Sequence, residues 1–289
     1  MSRRPRGFLR LAALLVAFGA VTSSYGADEA TGAPAGSHLI AQKVTLTSSG
    51  LSLVAFLYKP DGDGPFPALI WNHGSEKNPR AGTQFDSVAS IFVPAGYVVF
   101  APVRRGHGGS QGQYIVDELR QARSLGRPDN AARTAVHLLE TGQLDDQLAG
   151  LDYVKHLPFV DSARIAVAGC SFGGIETLLG AERRAGYKVA ISLSPAAQSW
   201  ANNAYLRLRL IQAVQRIDVP VLLLQPARDT SLEPARVLGA AAAKAGRPLT
   251  VKVYPATGPR DEQRHCFGGR RGMHVWAEDA KAFLDSNLR

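Results

Sequence analysis

The chain is poor in cysteine, with only Cys170 and Cys266 among its 289 residues. Two cysteines exclude a disulfide-stapled scaffold and a cysteine-rich zinc site. Long apolar runs are also missing: the stretch Leu11 to Val21 stops well short of the ~20 residues that span a bilayer. There is no Walker sequence and no HExxH. The glycine-rich stretch Arg104-Arg-Gly-His-Gly-Gly-Ser110 does not fit GxGxxG and reads as a tight loop rather than a phosphate cradle. No metal and no cofactor is therefore implied. Blocks of like charge are absent as well, so the excess of Lys and Arg, scattered along the chain, argues weakly for nucleic acid as a partner.

What is present is the composition of a folded protein: 45% apolar residues, 20% charged, 29 Gly and 17 Pro. That excludes a disordered tail, a coiled coil and a collagen-like rod. Arg3, Arg4, Arg6 and Arg10 precede the apolar run, and small residues including Ser24 and Gly26 follow it. This order is that of a secretory signal over residues 1–26, read as the Sec type because Phe8-Leu9 sits late for the twin-arginine signal that Arg3-Arg4 leaves open, with an uncleaved membrane anchor as the alternative. Taking those four arginines from the net charge of +9 leaves +5 on the mature chain. Residues 27–38 read as a flexible lead-in and 39–289 as one domain, exported to the periplasm or secreted. No internal repeat or break in composition marks a second domain, and nothing sets an oligomeric state.

Eight short apolar runs give the frame. Gln42 to Thr47 and Leu51 to Tyr58 flank Ser48-Ser49-Gly50, a hairpin signature. Ala68 to Trp71, Tyr97 to Ala101, Ile165 to Ala168, Val189 to Leu193, Val221 to Leu224 and Leu249 to Tyr254 follow, separated by helix-like stretches. The longest of these runs from about Asn130 to His156. Buried strands alternating with helices predict an α/β fold, a mostly parallel sheet covered on both faces. The short interval between the strands ending at Leu193 and starting at Val221 leaves little or no lid.

The chemistry centres on Gly169-Cys-Ser-Phe-Gly173. A strand running into a sharp turn and then a helix would hold Ser171 at the tip, with small residues two places on either side. Cys170 fails as nucleophile on register, because Phe172 would then occupy a crowded position. A serine hydroxyl needs a base, and the base an acid, in the chain order Ser, Asp or Glu, His. Asp229 follows the strand Val221 to Leu224, with Glu233 as the spare acid. His265 lies in the loop after the last strand and is preferred as base over His274, which falls at the mouth of the terminal helix. The oxyanion donors would be the backbone N–H of Phe172 and of Ser75, next to Gly74. Trp200 is the candidate substrate-binding residue, with Tyr205 beside it, either of which a core position would explain equally. Arg104, Arg105, Arg264, Arg270 and Arg271 could form a basic rim. Cys170 and Cys266 adjoin the proposed nucleophile and base, and a bond between them would require Cα atoms within about 7 Å.

These motifs, with His73-Gly74, Arg105-Gly-His-Gly-Gly109, Ser194-Pro-Ala-Ala-Gln-Ser-Trp200 and His265-Cys-Phe267 before Trp276, resemble the dienelactone hydrolase-like branch of the α/β-hydrolase superfamily, which borders the prolyl oligopeptidase-like peptidases. The resemblance runs from about residue 42 to the C-terminus. It implies an eight-stranded α/β-hydrolase fold, and the Phe two residues after the motif histidine favours His265 as base. The chain departs from that pattern at Arg264 and Cys266, and in Ser171, where dienelactone hydrolases proper use Cys. The expected activity is therefore hydrolysis of a small carboxylic ester through an acyl-enzyme. A peptidase and a non-catalytic binding protein on the same scaffold are the alternatives.

Overall fold

Each of the eight apolar runs forms a strand. The computed structural model describes residues 39–79, 84–127 and 129–288; the signal and lead-in segments lie outside them. The strands are β1 (Gln42–Ser48), β2 (Leu51–Tyr58), β3 (Phe66–Asn72), β4 (Val98–Pro102), β5 (Val160–Cys170), β6 (Val189–Leu193), β7 (Val221–Pro226) and β8 (Leu249–Tyr254). They assemble into one sheet in the order β1-β2-β4-β3-β5-β6-β7-β8. The β1–β2 and β2–β4 pairs are antiparallel and the others parallel. In the first hairpin Ser48 pairs with Leu51 across Ser49 and Gly50, whose φ values of 48° and 79° suit a two-residue turn that follows the strand twist.

Alternation along the strands separates two cores. On β5, Ile165 and Val167 belong to one apolar cluster and Ala166, Ala168 and Cys170 to the other. The first cluster is closed by α3 (Asn130–Glu140), α4 (Gly142–Lys155), α5 (Phe172–Glu182), α6 (Ala204–Val214) and α7 (Glu233–Lys244). The second is closed by α1 (Gln84–Phe92) and α8 (Met273–Leu288), where Trp71 stacks on Trp276 with ring centroids 6.0 Å apart. A further helix, α2 (Ile115–Ser124), contributes Ile115 to the first cluster. Apolar strands without polar alternation, covered by helices on both faces, are what a parallel sheet requires.

One expected helix is two. The stretch from Asn130 breaks at Thr141, with φ −114° and ψ −103°. A Cβ on Gly142 would lie 2.5 Å from the Arg105 guanidinium, so the break makes room for that side chain. Arg105 in turn forms a two-pronged pair with the buried Asp146 on α4 (2.7 and 3.0 Å). A contact between residues 41 apart decides this boundary, and periodicity along the helix does not show it. Among the described residues no helix is long and apolar enough to cross a membrane.

Candidate active site

Ser171 stands where β5 turns into α5, at φ 59° and ψ −118°. Such a conformation is unfavourable for a residue with a side chain and survives only where the surroundings over-determine it. The Ser171 N–H donates to the Leu193 carbonyl on β6 at 3.0 Å, and its own carbonyl accepts from the Ile175 N–H at 3.0 Å. The strand and helix pass so closely that a Cβ on Gly173 would sit 2.0 Å from the Asn72 carbonyl oxygen. Phe172 is the first residue of α5, where the N–H groups have no partner within the helix and the helix dipole favours negative charge.

Asp229 follows β7 and His265 follows β8, both at the carboxyl edge of the sheet, as Ser171 is. His265 Nδ1 is 2.8 Å from Asp229 Oδ1, and the Asp229 side chain is fully buried. Burial acts to raise the Asp229 carboxyl; the His265 hydrogen bond and charge, with Ser194 and the Thr230 N–H, outweigh it and hold the group below its ordinary value. Gln225 Nε2 donates to the other carboxylate oxygen at 3.0 Å. With Asp229 ionised, Nδ1 carries the proton and Nε2 presents a lone pair. That Nε2 is shielded from solvent and has no hydrogen-bond partner among the described residues.

A disulfide joins the two halves of the site. Cys170 and Cys266 are bonded, with Cα atoms 5.9 Å apart. Ser171 and His265 are therefore each one residue from a close covalent pair. His274 instead lies on α8, exposed, with Nε2 3.5 Å from Glu262, and Glu233 pairs with Arg236 on the surface of α7.

The loop after β3 carries the second expected oxyanion donor. The Gly74 carbonyl accepts from Arg104 Nη2 (2.9 Å) and from His73 Nδ1 (2.8 Å), while His73 Nε2 accepts the Arg104 N–H (3.1 Å). His73 is thus the neutral Nδ1–H tautomer, in keeping with burial and the Arg104 charge, which hold it well below the usual histidine value. Because a trans peptide sets N–H opposite C=O, anchoring the Gly74 carbonyl on Arg104 turns the Ser75 N–H the other way. A Cβ on Gly74 would be 3.8 Å from the Cys170 carbonyl oxygen, which brings this loop against the elbow.

Two expectations are corrected by burial. Arg104 has no exposed surface and Arg105 is held by Asp146, so neither belongs to a basic rim. Arg264, Arg270 and Arg271 remain at the surface near His265. Trp200 is 6% exposed and lies in the first core cluster, so a core position explains it; Tyr205 donates to Asp129 at 2.6 Å. In the glycine-rich loop the N–H groups of Gly106, His107, Gly108 and Ser110 all donate to chain carbonyls, which leaves no phosphate cradle there.

Sequence reasoning missed the polar layer under the site. Ser194, Gln225, Asp146 and Glu176 are each fully or nearly fully buried. Glu176 on α5 is pushed up to about 8 by burial, against the opposing pull of Arg104. The folded state therefore holds its proton where the unfolded chain has lost it. Stability is expected to be full below the ordinary carboxylate range and to fall as pH rises through about 8, by on the order of a few kcal/mol. Glu176→Gln should flatten that slope in urea melts between pH 5 and 9; an unchanged slope would place the titration elsewhere.

The family model of the X-Pro dipeptidyl-peptidases (S15 family) matches residues 49–265, a span containing Ser171 and Asp229 and ending on His265. The chain belongs to this family. Its members are serine hydrolases on the α/β-hydrolase fold, so the match agrees with the superfamily read from the motifs; it does not extend to the dienelactone hydrolase-like branch of the resemblance. Among solved structures, an esterase of Pyrococcus furiosus superposes with TM-score 0.64 at 17% identity, over 87% of this chain and 94% of that one. Dipeptidyl peptidase 4 of Porphyromonas gingivalis gives 0.62 at 20% identity over 86% of this chain, and acylaminoacyl peptidase of Pyrococcus horikoshii 0.65 at 16% over 86%. The chain spans only 36% and 42% of those two peptidases. At these identities the likeness speaks for the fold. A search of curated proteins finds no sequence match.

Proposed function

We propose that this S15-family chain is an exported serine hydrolase that cleaves small carboxylic esters. The observation that carries the reading is the partnerless Nε2 of His265, buried and backed by Asp229, on a residue whose neighbour the Cys170–Cys266 disulfide ties to the neighbour of the strained Ser171. Ser171 Oγ attacks the ester carbonyl as Nε2 takes its proton. The N–H groups of Phe172 and Ser75 receive the oxyanion, and the imidazolium returns the proton to the leaving alcohol. Water, activated by the same Nε2, then hydrolyses the acyl-enzyme. No step in this sequence needs a cofactor.

Ester cleavage is supported by the Pyrococcus esterase, which matches along nearly its whole length. A peptidase is the second reading, favoured by the family itself. Export is supported by the arginine-flanked apolar segment and by the disulfide, which persists in oxidising compartments. Steady-state kinetics on p-nitrophenyl acetate and on Ala-Pro-p-nitroanilide separate the readings. The ester should have the higher kcat/KM by a wide margin. Preference for the anilide would install the peptidase instead, and turnover of neither would favour a binding protein.

A further inference from the structure

The turn after His265 is unusual. Cys266, Phe267, Gly268 and Gly269 have φ between 55° and 66°, and two of these residues carry side chains. Successive left-handed residues of that kind are unfavourable and must be held from outside. Three contacts hold them. Phe267 is buried against Tyr254, ring centroids 5.2 Å apart. The Cys266 N–H donates to Ser194 Oγ at 3.3 Å. The third contact is the bond to Cys170, which is covalent and ends on the nucleophile elbow.

We infer that the Cys170–Cys266 disulfide is a positioning element of the catalytic site, which keeps His265 in reach of Ser171 and makes turnover conditional on its oxidation. This rests on the serine-hydrolase reading above. The Asp229 hydrogen bond orients the imidazole about Nδ1, but Asp229 follows β7 and cannot by itself set the distance from Nε2 to a nucleophile on β5. The disulfide spans that gap. A shift of about 1 Å in a reacting pair costs up to roughly 100-fold in rate, so a device that sets this distance acts on kcat.

Reduction by a dithiol would proceed at Cys266, the more exposed of the two cysteines. The reductant's thiolate attacks Cys266 Sγ and releases Cys170 as a thiolate, and its second thiol then closes the reductant's own disulfide. Two electrons pass to the protein, two protons end on Cys170 and Cys266, and the reductant is oxidised. The freed thiols must separate to van der Waals contact in surroundings formed by Trp71, Leu193, Met273 and Trp276, which offer them little hydrogen bonding. The β5–β6 and β7–β8 ladders do not depend on this bond, so the sheet should persist.

The test uses the purified full-length chain and p-nitrophenyl acetate. kcat and KM are measured before and after dithiothreitol, with thiols counted by alkylation and mass spectrometry and the fold followed by circular dichroism. The expected result is a fall in kcat of tenfold or more, roughly, with KM nearly unchanged, circular dichroism retained and full recovery on reoxidation. A Cys170→Ala/Cys266→Ala variant should show the low kcat with or without dithiothreitol, and it decides the matter if the bond resists reduction. Unchanged kcat with both thiols free, or two free thiols in untreated active protein, would overturn the inference. So would a loss of kcat that tracks loss of the fold, which would make the bond a general staple. Ser171→Ala in the oxidised state is the control: if it retains turnover, the hydrolase reading has failed, whatever the disulfide does.

Discussion

Ser171→Ala and His265→Ala are each expected to lower kcat for ester hydrolysis by roughly four to six orders of magnitude, with KM little changed. The reason is geometric. A serine hydroxyl is a poor nucleophile at neutral pH without a base, and the proposed base, the shielded Nε2 of His265, has no hydrogen-bond partner among the described residues. Combining the two substitutions should cost little more than either alone, because nucleophile and base act as one unit. His274→Ala, on an exposed side chain tied to Glu262, should be mild. Asp229→Asn should sit at the lower end of the range for the nucleophile and base, since an amide can keep contact with Nδ1 yet favour the wrong tautomer, at a cost of about 10⁴ in kcat. A near-normal His265→Ala enzyme beside an inactive His274→Ala enzyme would reverse the assignment of the base.

The second large effect concerns the elbow itself. Gly173→Ala would drive a methyl group to 2.0 Å from the Asn72 carbonyl oxygen, a backbone atom fixed in β3. Neither partner can swing away, so the crossing of β5, β3 and α5 must open. A destabilisation of about 3 kcal/mol or more is expected, read as a lower urea midpoint, with turnover lost alongside it. Gly96→Ala is the comparison. Gly96 has φ +88° and nothing within 4 Å of a new Cβ, so only backbone strain of about 1–2 kcal/mol applies, with activity intact. Equal stability of the Gly173→Ala and wild-type proteins would mean that the elbow is looser than described.

Local pattern carried the reading of the strands and of Gly169 to Gly173, because a buried parallel strand and a crowded turn constrain their own residues. The placement of Ser171, Asp229 and His265 at one edge was legible for a related reason: each lies in the connection after an apolar strand, Ser171 at once, Asp229 three residues on and His265 at the end of a longer loop, and parallel strands deliver such connections to one edge of the sheet. Other features were illegible because distant partners decide them. Arg104 reads as a surface charge, yet its guanidinium is spent on the His73 and Gly74 carbonyls and on Gln143. Thr141 reads as helix interior until Arg105 and Asp146 meet beside it. Ser194 and Gln225 carry no signal by themselves, and only the approach of Asp229 gives them work. The cysteines were visible as neighbours of the proposed nucleophile and base, but their bond depended on a Cα separation that no spacing encodes.

The most direct test of the account is to locate the nucleophile chemically. The oxidised full-length protein is treated with a fluorophosphonate, digested, and the modified peptide sequenced by tandem mass spectrometry. The account predicts one stoichiometric adduct, on Ser171, formed slowly or not at all in His265→Ala and absent in Ser171→Ala. An adduct on any other residue, or labelling of Ser171→Ala at the wild-type rate, would contradict it.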